Sequence, residues 1–336
     1  MKFGIGIPNA REGVFYPPGF CNASQLVELT LLAESLGFDS IWATDFMSPV
    51  PEIGIPAGRN PAWYELMVTL SYLAGVTERI KLGAGVAVLP FRDPIVLAKQ
   101  AATLDHFSGG RFILGAGAGV FKTELRAIQG RLQKPHRGRM LDEHLQALNL
   151  LLNTEGRVSF SGEYYQFTNV ELDPKPVQKP LPIQIAGFAD STFERVARYA
   201  TGLSTVFKAV SGEYRDVVDR LRPALEAEGR NLSEVDLQFT TFQLLDQHHD
   251  RAVERAMQSY LVKERGAYDE ETLGKALVGT PAEAIEQIAG LEAQGATHYV
   301  VTTYPVDTFE EMTEQVKMFA NEVMPAFTEP STHKTI

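Results

Sequence analysis

The chain has 336 residues, of which 44% are hydrophobic and 22% are charged, and its formal net charge is −11. This balance is typical of a globular protein with a large apolar core, which needs neither a metal nor a disulfide to fold. The acidic surface would repel phosphate backbones and anionic lipids, and it therefore argues against nucleic acids and membranes as partners.

The single cysteine, Cys21, excludes an intrachain disulfide and is typical of a protein from a reducing compartment. Pro8 interrupts the first apolar run too early for a secretory signal, and no apolar run reaches the length of a membrane span. These features together predict a cytoplasmic protein.

Short apolar runs alternate with longer amphipathic stretches in the first half of the chain. Strands are predicted at residues 3–7, 38–43, 80–89 and 112–116. Helices are predicted at residues 24–36, 63–76, 94–107 and 140–152. Ser24 is the predicted N-cap of the first helix, and Gly37 is its predicted stop.

The same alternation continues in the second half. Strands are predicted at residues 183–186, 203–206, 235–244 and 299–303, and helices begin at Thr192, Glu213, Arg251, Ala282 and Phe309. Eight strands that each lead into a helix are the signature of a (β/α)8 TIM barrel. The alternative, an open doubly wound sheet, rarely holds so many units in one domain. We therefore predict a single barrel domain at residues 1–327 and a polar tail at residues 328–336.

Residues 156–182 interrupt the alternation. Two short strands, at residues 158–160 and 164–167, flank the turn residues Ser161, Gly162 and Glu163 and predict a β-hairpin. Several prolines then make an extended connection to the next strand. The segment is interpreted as a hairpin inserted between strands 4 and 5 of the barrel.

The residues that follow each strand are the candidates for a functional site, because the active sites of such barrels lie at the carboxyl ends of the strands. Most of these residues are apolar, aromatic or glycine, which suits a large flat ring better than a sugar or a metal. The predicted substrate pocket consists of Phe15, Tyr16, Phe46, Trp63, Phe207 and Gln243.

Two titratable side chains at the strand ends are candidates for proton transfer. Asp45 directly follows the second strand, and Tyr304 follows the eighth. Asp45 has a second interpretation, as a loop cap or as the partner of a nearby arginine. No metal site is predicted, because the adjacent histidines His248 and His249 cannot share a helix face and have no third ligand. The strand ends also lack a His-x-His or a His/Asp/Glu ligand set, which argues against a metal-dependent hydrolase.

Two glycine-rich loops follow the fourth and fifth strands, at residues 115–119 and 187–191. Glycine lets a ligand approach the backbone closely, and the second loop leads into a helix N-terminus, which favours phosphate. Ordinary turns are the alternative interpretation.

Four stretches carry a family resemblance. They are LGAGVAVLPFRDPIVLAKQAATLDHFSGGRFILGAGAGVFKTEL at 82–125, HRGRMLDEHLQAL at 136–148, PLPIQIAGFADSTFERVARYA at 180–200 and GTPAEAIEQI at 279–288. In these stretches the chain resembles the bacterial luciferase superfamily of flavin-dependent monooxygenases, whose members use FMN or coenzyme F420.

The resemblance implies a set of cofactor-binding residues. A non-prolyl cis peptide between Gly85 and Val86, followed by Ala87, would support the flavin ring. The ring edge and the phosphate side would contact the loop of Gly117, Ala118, Gly119 and Val120. Arg139 would pair with the cofactor phosphate, since the guanidinium fork suits that group. The alternative is a surface arginine in a basic loop with His136 and Arg137. The ribityl and phosphate path would be lined by Ala186, Gly187, Phe188 and Ser191.

The resemblance also implies a reaction. We expect a monooxygenase that uses reduced FMN and O2 to oxygenate a small, bulky, apolar substrate. A separate flavin reductase would supply the reduced FMN, because the chain lacks a nicotinamide-binding motif. The luciferases proper carry a histidine in place of Asp45 and a reactive cysteine in place of Gly117, so light emission is not expected.

Two alternatives to this function remain open. The first is hydride transfer with coenzyme F420, although F420 users tend to carry a histidine where this chain has Asp45 and Phe46. The second is a flavin-binding protein without catalytic activity.

The resemblance also implies an oligomeric state. Family members commonly pair through helices beside the second and third strands, so the protein is expected to form a homodimer through the apolar helix around residues 64–73.

Overall fold

The computed structural model describes residues 1–48, 54–55, 61–130, 136–205, 214–264 and 276–327. Its strands, in chain order, are β1 (Lys2–Gly6), β2 (Ser40–Ala43), β3 (Lys81–Ala84), β4 (Ala87–Val88), β5 (Phe112–Gly117), β6 (Arg157–Ser161), β7 (Gln166–Glu171), β8 (Ile183–Ala186), β9 (Gly202–Thr205), β10 (Asp236–Leu245), β11 (Leu277–Gly279) and β12 (His298–Thr303). Eight of them pair in parallel in the order β1, β2, β3, β5, β8, β9, β10 and β12, and β12 pairs with β1 to close a barrel. The predicted (β/α)8 fold is confirmed.

Helices follow most of the barrel strands. They are Ala23–Ser35, Leu66–Val76, Pro94–Phe107, Lys122–Ile128, Arg137–Asn153, Asp190–Tyr199, Tyr214–Ala227, His249–Gln258, Tyr260–Lys263, Pro281–Ala293 and Phe309–Glu322, with 3-10 turns at Leu89–Phe91, Leu232–Glu234 and Met324–Phe327. Within the described part of the chain, none of these helices has the length and apolarity that a membrane crossing would need.

Several predicted helix starts differ from the structure by one to three residues, and the caps of the first two helices show the cause. The N-cap of the first helix is Asn22 rather than Ser24, because Asn22 and Gln25 bond each other's backbone in a capping box. The second helix begins at Leu66 rather than at Trp63, because Glu65 is its N-cap and the Glu65 side chain accepts the free N–H of Val68. Trp63 therefore belongs to the loop that precedes the helix and lies at the barrel rim.

The long third strand of the prediction is divided into two. β3 ends at Ala84, and β4 resumes at Ala87 and pairs with β5 opposite Ala116. The peptide bond between Gly85 and Val86 in the gap is cis, as the family resemblance predicted. The division places this bond at the carboxyl end of the barrel.

The predicted hairpin is confirmed between β5 and β8. β6 and β7 pair antiparallel from Arg157 opposite Glu171 to Ser161 opposite Gln166. The carboxylate of Glu143, on helix Arg137–Asn153, accepts the backbone N–H groups of Glu163, Tyr164 and Tyr165 at the turn. These bonds fasten the insertion to the barrel. Residues 328–336, the predicted tail, lie outside the described residues.

A large side chain fills the inside of the barrel below the strand ends. Trp42 packs there against Ile113 and Val300. A Cβ atom at Gly83 would overlap the Trp42 ring, so glycine at that position makes room for the indole. The filled interior leaves the carboxyl ends of the strands as the place for a ligand.

Candidate active site

Two residues of the first loop fasten the strand ends together. The Asn9 side chain accepts the N–H of Thr44 at 2.8 Å and donates to its carbonyl at 2.9 Å. Arg11 donates from Nε to Oγ1 of Thr44 at 2.8 Å and from Nη1 to Oγ1 of Thr303 at 2.7 Å. The rim of β12, β1 and β2 is thereby fixed by buried hydrogen bonds.

Asp45, a predicted acid–base residue, forms a buried ion pair with Arg92. Nη2 of Arg92 lies 2.8 Å from Oδ1 of Asp45, and Nη1 donates to Oδ2. The N–H of Val88 also donates to Oδ2 at 2.7 Å, and Arg92 reaches Glu65 at 2.8 Å. Burial lowers the pKa of Arg92, but the hydrogen bonds and charges of Asp45 and Glu65 outweigh it and raise that pKa.

These contacts support the second interpretation of Asp45, as the partner of an arginine. Both oxygens of its carboxylate are occupied by protein donors. A role in proton transfer is therefore not supported, because the carboxylate is buried and its charge is balanced by Arg92, which is also buried.

Tyr304, the second predicted acid–base residue, lies in the wall of the barrel. Its side chain is completely buried, and its hydroxyl has no hydrogen-bond partner among the described residues. Burial, with a smaller contribution from Tyr16, raises the pKa of this hydroxyl well above its ordinary value. Proton transfer by Tyr304 is not supported by this position.

Two residues of the predicted substrate pocket share that buried wall. Tyr16 stacks on Phe20 with ring centroids 4.1 Å apart and accepts the N–H of Tyr304 at 3.1 Å. Gln243 is completely buried beside β11. Neither side chain is exposed at the rim, so the structure does not place them in the pocket. Phe207 lies outside the described residues.

The other predicted pocket residues come together at the rim. The rings of Phe46 and Trp63 are 5.4 Å apart, and Phe46 and Phe121 are 6.1 Å apart. Phe15 packs in the same cluster as Trp63 and Phe121. We call Phe15, Phe46, Trp63 and Phe121 the aromatic vault. The sequence prediction missed Phe121, although it directly follows the glycine loop.

The glycine loop after β5 packs against the backbone around the cis peptide. A Cβ atom at Gly117 would lie 2.7 Å from Cγ2 of Val86, and one at Gly119 would lie 2.8 Å from Cγ1 of Val88. Gly85, Val86, Ala118 and Gly119 nevertheless keep part of their surface exposed. We call Gly85, Val86, Gly117, Ala118 and Gly119 the glycine cradle. A nearly bare backbone surface of this kind fits a flat ring.

Arg137, two residues before the predicted phosphate ligand Arg139, contacts the glycine loop. Nη1 of Arg137 donates to the carbonyls of Gly119 at 2.6 Å and Val120 at 2.8 Å. Arg139 points to the surface, where it pairs with Glu163 at 2.8 Å. The sequence prediction missed Arg137, which stands in the same basic segment.

The predicted phosphate path lies at the start of helix Asp190–Tyr199. Its N-cap, Ala189, provides no side-chain hydrogen bond, so the first N–H groups remain available to an anion. Ser191 lies there, 3.2 Å from Nη1 of Arg195, which the prediction missed. Phe188 is exposed on the loop between β8 and this helix.

Among the described residues, no group of three or more His, Cys, Asp or Glu side chains could hold a metal.

A family model for luciferase-like monooxygenases matches residues 1–274, most of the chain. The chain belongs to this family. The family resemblance found in the sequence is confirmed, together with the fold that it implied.

The curated relatives of this luciferase-like protein include users of both cofactors. An F420-dependent glucose-6-phosphate dehydrogenase of Amycolatopsis mediterranei (strain U-32) is 31% identical over 237 residues, which cover 68% of this chain and 67% of the relative. An FMNH2-dependent dimethylsulfone monooxygenase of Pseudomonas putida is 30% identical over 236 residues, covering 68% and 62%. The relatives are oxidoreductases of either kind.

Solved structures show the same fold. The monooxygenase RslO1 from Streptomyces bottropensis superposes with a TM-score of 0.80 at 23% identity, covering 98% of this chain and 100% of that one. An F420-dependent secondary alcohol dehydrogenase in complex with an F420–acetone adduct has a TM-score of 0.78 at 19% identity, with the same coverage. At such identities the likeness concerns the fold alone.

Proposed function

We propose that this luciferase-like protein is a monooxygenase that takes reduced FMN from a separate flavin reductase and uses O2 to oxygenate a small, bulky, apolar substrate. The observation that carries the proposal is that the ionisable side chains described around the vault and the cradle are engaged by protein groups. Asp45 and Glu65 hold Arg92, while Arg11 bonds Thr44 and Thr303.

This arrangement suits oxygen transfer better than hydride transfer. When bound, reduced flavin supplies the chemistry that activates O2, so the protein mainly binds, orients and excludes water. Hydride transfer to a carbonyl needs, in addition, a side chain that delivers a proton. In the described part of the site, the aromatic vault offers apolar surface, and the carboxylates beside it, Asp45 and Glu124, already accept hydrogen bonds from protein groups.

Each part of the site has a distinct task in this proposal. The glycine cradle would hold the ring, and Ala87 and Val120 would border it. Ala186, Gly187, Phe188 and Ser191, at the start of helix Asp190–Tyr199, would line the ribityl and phosphate path. The aromatic vault would bind the substrate above the ring and keep water from the reacting atoms.

F420-dependent hydride transfer is the second candidate. The identity to the F420-dependent glucose-6-phosphate dehydrogenase favours it, since that relative matches as well as the FMNH2-dependent one. The cradle and the helix start would accept either cofactor, because both carry a flat tricyclic ring and a phosphate. A phosphosugar substrate would additionally require a cationic pocket.

The two functions differ in the cofactor that the protein binds. We would titrate the purified protein with FMN and with F420, each oxidised and reduced, and then admit air. Tight binding of reduced FMN and its accelerated reaction with O2 are expected. Preferential binding of F420 without O2 consumption would establish the second candidate. Binding without any turnover would indicate a flavin-binding protein, and binding of neither cofactor would overturn both proposals.

Arg137 and Arg139 provide a matched pair for the cofactor site. We expect Arg137→Ala to weaken cofactor binding about tenfold or more, because each hydrogen bond from a charged donor contributes about 1.5–3 kcal/mol. Arg139→Ala should change the dissociation constant less than about twofold, since its pair with Glu163 is exposed. Fluorescence titration of each variant measures both values. If Arg139→Ala raised the dissociation constant more than Arg137→Ala, the result would support the prediction that Arg139 contacts the cofactor phosphate.

We also propose that the protein forms a homodimer through helix Leu66–Val76. Val68 is 69% exposed and Tyr72 is 64% exposed, and they share one helix face because they are four residues apart. Such apolar surface is buried when proteins associate. We expect a dimer in light scattering and a monomer after V68E and Y72E are combined. Val177→Glu, at another exposed apolar position, is the control. A monomeric wild type would contradict the proposal.

A further inference from the structure

Glu124 is a buried carboxylate beside the aromatic vault. It is 2% exposed and lies in the first turn of helix Lys122–Ile128, which follows the glycine loop. No arginine, lysine or histidine forms an ion pair with it in the described part of the chain. A carboxylate that is buried without a cation must be compensated by hydrogen bonds. The partners of Glu124 therefore indicate what it does.

Those partners belong to the loop after β2. Oε1 of Glu124 accepts the backbone N–H of Met47 at 2.8 Å and that of Ser48 at 3.4 Å. The other end of this short segment is fixed by Asp45, through its ion pair with Arg92. The segment is thus held at both ends by buried carboxylates on different parts of the rim.

Phe46 is the residue between these two attachments. Its ring lies 5.4 Å from that of Trp63 and 6.1 Å from that of Phe121. Phe121 is the N-cap residue of the helix that carries Glu124. One carboxylate therefore sets the distance between two rings of the vault, which come from the ends of β2 and β5.

We infer that Glu124 is a positioning residue that fixes the shape of the aromatic vault by holding the backbone that carries Phe46. That the vault binds the substrate rests on the proposed function, whereas the positioning itself does not. Burial raises the pKa of Glu124, and the N–H groups of Met47 and Ser48 oppose this shift. Both N–H groups donate to the same oxygen, Oε1, so an acceptor oxygen at the right reach is the feature that the positioning requires.

The test uses the two tryptophans, labelled with 5-fluorotryptophan, as separate ¹⁹F NMR probes in the full chain. Trp63 reports the vault and Trp42 reports the barrel interior. We expect Glu124→Ala to shift or broaden the Trp63 resonance while the Trp42 resonance stays in place. Glu124→Gln keeps an acceptor oxygen at the same reach and should restore the wild-type Trp63 signal. Trp63→Phe assigns the two resonances.

Glu124→Asp separates reach from charge and covers the case in which the alanine variant does not fold. It keeps the carboxylate but is one methylene shorter, so it should perturb Trp63 as alanine does. An unchanged Trp63 resonance in both the aspartate and the alanine variant would overturn the inference. A Trp63 resonance that is perturbed as much in the glutamine variant as in the aspartate variant would also overturn it. Neither cofactor nor substrate is needed, so failure here is distinct from failure of the cofactor titration.

Discussion

Replacing Asp45 with alanine is expected to lower the free energy of unfolding by about 3 kcal/mol, because breaking a buried ion pair leaves an uncompensated charge at a cost of about 3–5 kcal/mol. The lower end of that range applies, since Glu65 would still contact Arg92. The N–H of Val88 would also lose its acceptor. Urea denaturation of the two proteins, extrapolated to water, measures the difference.

Glu163→Ala is the control for this substitution. It removes the pair with Arg139, whose two side chains are 57% and 55% exposed, so solvent already screens that pair. A change of about 0–1 kcal/mol is expected. If Asp45→Ala cost no more than Glu163→Ala, the pair with Arg92 would not be structural, and Asp45 would again be a candidate for proton transfer.

The barrel could be predicted from the sequence because its signals are local. Apolar runs of strand length recur with helical stretches between them, and the hairpin turn is marked by Ser161 and Gly162. Helix boundaries were less predictable. At the first helix both Asn22 and Ser24 are good N-cap residues, and the reciprocal bond with Gln25 selects Asn22.

The candidate site was predictable only in part, because its geometry depends on contacts between distant segments. Asp45 and Arg92 are 47 residues apart, and only the fold shows that they pair. Arg137 and Arg139 are two residues apart, so they point about 200° apart around their helix. Sequence alone does not say which of the two faces the glycine loop.

Tyr304 directly follows β12, whose pairing with β10 is locally irregular. The pairing of β10 with β12 shifts register between Thr241 and Phe242. Such a shift changes which side chains face the barrel axis beyond it. Tyr304 was predicted from its position after the eighth strand alone, and that position does not show whether a side chain faces the rim or the buried wall.

The second large effect is expected from Gly119→Ala in the glycine cradle. Gly119 has φ +78°, and an added Cβ would lie 2.8 Å from Cγ1 of Val88. The left-handed conformation costs a non-glycine residue about 1–2 kcal/mol, and overpacking costs about 1–3 kcal/mol. The loop would relieve both by moving away from Val88. We therefore expect cofactor affinity to fall at least about tenfold, as measured by fluorescence titration.

Gly109→Ala separates the two causes, because Gly109 has a similar φ of +64° but nothing within 4 Å of its added Cβ. It lies in the turn before β5, away from the cradle, so it should lower stability by about 1–2 kcal/mol without changing cofactor affinity. If both variants bound cofactor like the wild type, the packing of Gly119 on Val88 would not shape the binding surface. The ring would then have to rest on another part of the rim.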